Sequence, residues 1–162
     1  MDAEDVIAIP RLTWFSLVGD LRRRGRGRRE SGAFLVGRGD GRDRRVVDYV
    51  CYDDLDPHVL DQGIVVFHGA GFSKLWSLCA KRKLQVLADI HTHPGRDVRQ
   101  SSIDQNYAMI PVTGHVAMIA PRFGNTSRWS LNEVGIHRLE DGGRWKHFRA
   151  RDKNVPIRLC IW

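Results

Sequence analysis

The sequence predicts a mixed α/β fold, in the α+β sense, with one sheet flanked by helices. Three observations carry that prediction. Short apolar runs bounded by glycine recur along the whole chain and read as strands. Two stretches, 10–25 and 69–83, switch to helical period. The last third holds several short strand patterns with a Gly-Gly turn and no internal repeat. The 162 residues suit one domain with its own core, taken as residues 1–162.

Residues 1–9 read as a frayed or short edge segment. Pro10 suits a first helical turn, and Trp14, Leu17, Val18 and Leu21 then share a face, widened by Leu12 and Phe15. Arg22, Arg23 and Arg24 complement the dipole at the helix end, and Gly25 marks the stop. Ala33–Val36 reads as a buried strand and 44–52 as its hairpin partner across Gly39-Asp-Gly41. Residues 53–62, with Pro57 and His58, read as a surface loop, and 63–67 as another short strand. In the second helix Phe72, Leu75, Trp76, Cys79 and Ala80 form an apolar stripe, with Trp76 and Trp145 expected to pack in the core and the hairpin. Residues 84–90 form a near-continuous apolar strand, read as central. Ser101 or Ser102 can cap a short helix reaching Tyr107 and Met109, ended by Pro111. Residues 115–120, 128–131, 134–139 and 145–148 read as strands, with a turn at Asp141-Gly-Gly143, and 155–162 as a last edge strand.

Composition limits the setting. The net charge is +7, mostly from arginine, which suits planar recognition of carboxylate, phosphate or peptide carbonyl. Six arginines fall between Arg22 and Arg29, a run that reads as a solvated helix end or as the flank of a cleft. Cys51, Cys79 and Cys160 have no metal-knuckle spacing and read as free thiols filling apolar space, which favours a reducing compartment. No signal peptide or membrane-spanning stretch is legible, so a cytoplasmic chain is expected.

The chemistry concentrates in Asp89–Asp104. His91 and His93 lie two apart at a strand end, so both imidazoles face one side. Pro94 stiffens the exit. Ser101 and Asp104 are one helical turn apart and share a face. Two imidazoles and a carboxylate are a borderline-metal ligand set, and three protein ligands leave a fourth tetrahedral position open, as in catalytic zinc sites. His58, His68, His115, His137 and His147 share no ligand spacing with this group and read as packing or surface residues.

The order Glu30, His91-Thr-His93, Ser101, Asp104, with Glu30-Ser-Gly-Ala-Phe-Leu-Val-Gly37 as first strand, resembles the JAMM (MPN-plus) metalloprotease family over roughly residues 10–150. The resemblance implies a curved, mixed sheet of the cytidine-deaminase-like MPN type. It implies one catalytic Zn²⁺ on His91, His93 and Asp104, Glu30 as general acid and base, and Ser101 as donor to the oxyanion. It further implies an isopeptidase that cleaves after the C-terminal glycine of a ubiquitin-like protein, with activating and conjugating enzymes as companions. Compact prokaryotic members of this kind occur in bacterial conjugation systems, some linked to phage defence. Processing of a ubiquitin-like or sulfur-carrier precursor is the alternative on the same chemistry. A silent scaffold, or a nucleic-acid binder using the Arg22–Arg29 segment, is the alternative from another class. Nucleic acid is not the expected partner, and neither is a membrane. Residues 51–61 are expected to wall a substrate groove. Gln100 departs from the proline that many relatives carry before the motif serine.

Overall fold

A computed structural model describes residues 5–63, 67 and 69–162. Its strands are β1 (Val6–Pro10), β2 (Gly32–Arg38), β3 (Asp43–Cys51), β4 (Gln85–Thr92), β5 (Val116–Ala120), β6 (Gly135–Leu139), β7 (Trp145–Phe148) and β8 (Ile157–Cys160). They form one sheet in the order β7-β6-β5-β4-β2-β3-β1-β8. Its α-helices are α1 (Arg11–Gly25), α2 (Tyr52–Leu55), α3 (Gly69–Arg82) and α4 (Ser102–Asn106). The sheet is mixed: β4 runs parallel to β5 and antiparallel to β2, and β1 runs parallel to both β3 and β8.

Strand β2 shows how the sequence builds two cores. Successive side chains of a strand point to opposite faces. Ala33 and Leu35 join Trp14, Leu17 and Leu21 of α1 on one face. Phe34 and Val36 join Leu75 and Cys79 of α3, with Tyr52, Leu55, Val59 and Leu60, on the other. Register shifts at Leu35/Val36 and Val36/Gly37 bend β2 between its two partners. Gly37 is required there, since a Cβ would lie 2.0 Å from the Arg45 carbonyl oxygen.

The expected helices and the β2–β3 hairpin are present, β4 is central, and β8 is an edge strand. Several expectations need correction. Val6–Pro10 is an interior strand, with Ile7 and Ile9 fully buried, because β8 returns from the far end of the chain to cover it. Residues 53–62 are no surface loop: Leu55, Val59 and Leu60 turn inward beneath α3, and apolar burial overrides their acidic neighbours. Residues 128–131 do not pair as a strand. Arg128 stacks over the Phe15 ring at 3.5 Å and donates from Nε to the Phe15 carbonyl at 2.9 Å, which clamps this segment onto α1. Leu12 (71% exposed) and Trp76 (48% exposed) leave the faces assigned to them. Helix α4 stops at Asn106 rather than reaching Met109. The strand expected at 63–67 lies, apart from Gly63 and Phe67, outside the described residues, as does His68.

Candidate metal centre

The site forms where β2 and β4 run side by side. Gly32 is paired with His91. Just beyond, Ser31 N–H donates to Thr92 Oγ1 at 3.0 Å, and Thr92 N–H donates to the Ser31 carbonyl at 2.9 Å. Glu30 N–H donates to the Gly63 carbonyl at 2.9 Å. These bonds fix Glu30 at the mouth of the cleft that also exposes His91 and His93. His93 N–H donates to the Ala120 carbonyl at 2.9 Å, so the backbone stays sheet-like through both histidines.

The loop after His93 returns through α4. Ser101 is its N-cap: Oγ accepts from Asp104 N–H at 3.2 Å, and Asp104 Oδ2 accepts from Ser101 N–H at 2.7 Å. This reciprocal box aims the carboxylate at the histidines. Asp104 Oδ1 lies 3.2 Å from His91 Nε2, Oδ2 lies 3.3 Å from His93 Nε2, and the two Nε2 atoms are 3.2 Å apart. Burial alone would raise the Asp104 carboxyl. The two imidazoles and the Ser101 N–H outweigh it and hold the group well below the usual carboxylate range.

The donor set fits a zinc-type ion. Ligands about 2.0–2.1 Å from a tetrahedral centre stand roughly 3.3–3.4 Å from one another, close to the separations of this triad. His93 Nδ1 lies 2.9 Å from the Asp97 carbonyl, which can only accept. Nδ1 therefore carries a proton, so that with an ion bound Nε2 would be the ring atom offering its lone pair, the usual outer support of a metal-bound histidine. Among the described residues, His91, His93 and Asp104 are the group able to hold an ion.

The triad opens into a cleft of about 660 Å³ whose lining includes the apolar side chains of Phe67, Phe72, Ile103, Tyr107 and Met109. Residues 51–61 do not line it, because Tyr52, Leu55, Val59 and Leu60 are committed to the core below.

Two features escaped the sequence reading. Asp89 lies two residues before His91 and faces the same cleft, as strand alternation could have indicated. Its carboxylate is buried, taking Tyr52 Oη at 3.1 Å and His115 Nε2 at 2.5 Å. Burial and then the Asp89 charge push the Tyr52 phenol well above its ordinary value, so it keeps its proton and donates. His115 thus serves a specific carboxylate. The other missed feature is the Asp97 carbonyl, a backbone group that carries no residue-type signal.

A family model described as prokaryotic homologs of the JAB domain matches residues 17–132. The chain belongs to the prokaryotic JAB-domain family. A protein from Sinorhizobium fredii (strain NBRC 101917 / NGR234) named probable metalloprotease y4jG is 34% identical over 65 residues. That match covers 40% of this JAB chain and 39% of the relative, so well under half of each is aligned. The solution structure of protein DSY2949 from Desulfitobacterium hafniense superposes with a TM-score of 0.61 at 19% identity, covering 96% of this chain and 93% of that one. At that identity the likeness concerns the fold. The family implies a metal ion, and this JAB domain has a His-His-Asp group that could hold one.

Proposed function

We propose that the chain is a zinc-dependent isopeptidase or peptidase cleaving after the C-terminal glycine of a ubiquitin-like protein. The observation that carries this reading is the His91–His93–Asp104 triad sharing one cleft with Glu30 and Ser101. His91, His93 and Asp104 would hold the ion, which when bound supplies Lewis acidity, acidifying water to near neutral pKa and polarising an amide carbonyl. Glu30 would take a proton from the attacking water and return one to the leaving amine. The Ser101 oxygen is engaged as acceptor by Asp104 N–H, which leaves its hydroxyl proton to meet the charge that develops on the carbonyl oxygen. The apolar lining, with Phe67, Phe72 and Met109, suits an extended tail whose terminal glycine allows close backbone approach to the triad.

The setting we propose is a bacterial ubiquitin-like conjugation system, including those with antiphage roles, with its activating and conjugating enzymes as companions. Membership of the prokaryotic family supports this. A cytoplasmic location is part of the proposal and is supported by three free thiols. Burial pushes the Cys51 thiol up to about 12, so it is an inert packing group. No helix among the described residues is long and apolar enough to cross a membrane.

The test uses glycine-terminated ubiquitin-like substrates, one a linear fusion and one lysine-linked. Cleavage should require metal and should fall on the order of 10²–10⁴-fold in Glu30→Gln with metal content unchanged. Cleavage that survives both chelation and Glu30→Gln refutes the mechanism. Cleavage of the linear fusion alone identifies a precursor-processing peptidase.

A further inference from the structure

The loop 94–100 joins the two halves of the triad, and β6 grips it from beyond β5. Across the sheet, Asp89 is paired with Ala117, Ala117 with His137, and His137 with His147, so these residues form one row on the cleft face. His91 is likewise in register with Ile119, and Ile119 with Gly135. His137 is buried, and its Nε2 lies 2.9 Å from the Val98 carbonyl oxygen. That oxygen can only accept, so Nε2 carries the proton. The neighbouring carbonyl, of Asp97, takes the Nδ1 proton of His93. Two consecutive peptide carbonyls are therefore held by two histidines, one a ligand of the triad and one on β6.

Gly135 makes the approach possible. A Cβ there would stand 2.1 Å from the Val98 oxygen and 2.9 Å from Val98 Cβ. Only glycine lets the loop settle this deeply. The neutral state of the His137 ring agrees with its surroundings: burial, chiefly, brings its pKa down to about 4.

We propose that His137 is a positioning residue for the metal centre, holding the Val98 peptide so that the adjacent Asp97 carbonyl orients His93. This rests on the metal reading of the His91–His93–Asp104 triad and concerns how tightly the triad binds its ion. Removing the His137 donor frees the 97–98 peptides to rotate, and His93 loses the fixed acceptor that sets its tautomer and ring plane. Outer partners of metal-bound histidines are typically worth 10–100-fold in affinity. His137 acts one bond further out, so about 10-fold is expected.

The experiment measures Zn²⁺ affinity by competition with a chromophoric chelator at neutral pH, on wild type, His137→Leu and His137→Gln. Melting of each metal-free protein is recorded beside it. Gln can return an N–H to the Val98 carbonyl; Leu cannot. The proposal expects about 10-fold weaker zinc binding in His137→Leu and recovery to within about 3-fold of wild type in His137→Gln, with metal-free melting of the two variants alike. Gly135→Ala, which displaces Val98 with His137 intact, should weaken zinc as well. Equal zinc affinity in wild type and His137→Leu overturns the proposal. So does a loss that His137→Gln fails to recover, because packing alone then explains it. A wild-type chain that binds no zinc overturns the metal reading and this proposal together.

Discussion

In the proposed mechanism Ser101 would do two separable jobs with one side chain. Its oxygen caps α4 by accepting Asp104 N–H, and the residue lines the cleft, where its hydroxyl proton would be the proposed donor. Ser101→Ala should lower kcat by about 10²–10³ through the lost donor. The lost cap should cost about 1 kcal/mol besides. Steady-state kinetics and thermal melting report the two effects independently. His137 yields a pH prediction with a definite sign. Its folded pKa is depressed to about 4 from an ordinary 6.5, so between those values the unfolded chain binds the extra proton. The metal-free chain should therefore lose stability as pH falls through that window, and His137→Gln should lose less. Denaturant midpoints at pH 7 and pH 4.5, compared between the two proteins, check it. His91, His93 and Asp104 could be picked out in the sequence by residue type and spacing, and Glu30 and Ser101 through the family resemblance. Asp97 could not, since it contributes a backbone carbonyl that any residue would offer.

At the scale of elements, period and burial agree where one face of a helix meets the sheet, and part company at helix margins. In α3, Leu75 and Cys79 are buried, while Trp76, one position along, rests outside against Phe72 with ring centroids 6.4 Å apart. Leu75→Ala should cost roughly 2–5 kcal/mol. Trp76→Ser should cost a small fraction of that, and chemical denaturation of the two variants tests the contrast. Periodicity located the stripe, but its width depends on how far the 52–60 segment rises beneath the helix, and that segment looked polar. The misassigned 128–131 strand has the same origin: its alternation is real, yet Arg128 and Trp129 find Phe15 on α1 rather than a strand partner.

For the molecule as a whole, the triad draws its parts from β4, α4 and the loop between them, so ion binding there would be coupled to folding. An ion that binds only the folded chain stabilises it by mass action, by about 2.7 kcal/mol at a hundredfold excess over Kd. Zinc should raise the melting temperature of wild type in a concentration-dependent way. Asp104→Ala should abolish the rise, and differential scanning calorimetry with and without chelator measures both. The interior place of β1 also belongs to this scale. A five-residue strand at the start of the described chain is locked between β3 and β8, a closure that spans nearly the whole sequence.

By itself, the sequence determined the candidate ligand types, their spacing, the helix and strand that carry them, and the resemblance to the family. These are local facts: the two-residue period that turns His91 and His93 to one side, the one-turn spacing of Ser101 and Asp104, and the stripe of α1. The tertiary structure alone decided what touches those residues from far away. Glu30 comes to the cleft because β2 pairs with β4 sixty residues on. The 94–100 loop is held because β6 brings His137 and Gly135 against Val98. Such contacts depend on register between distant strands, which no local pattern encodes.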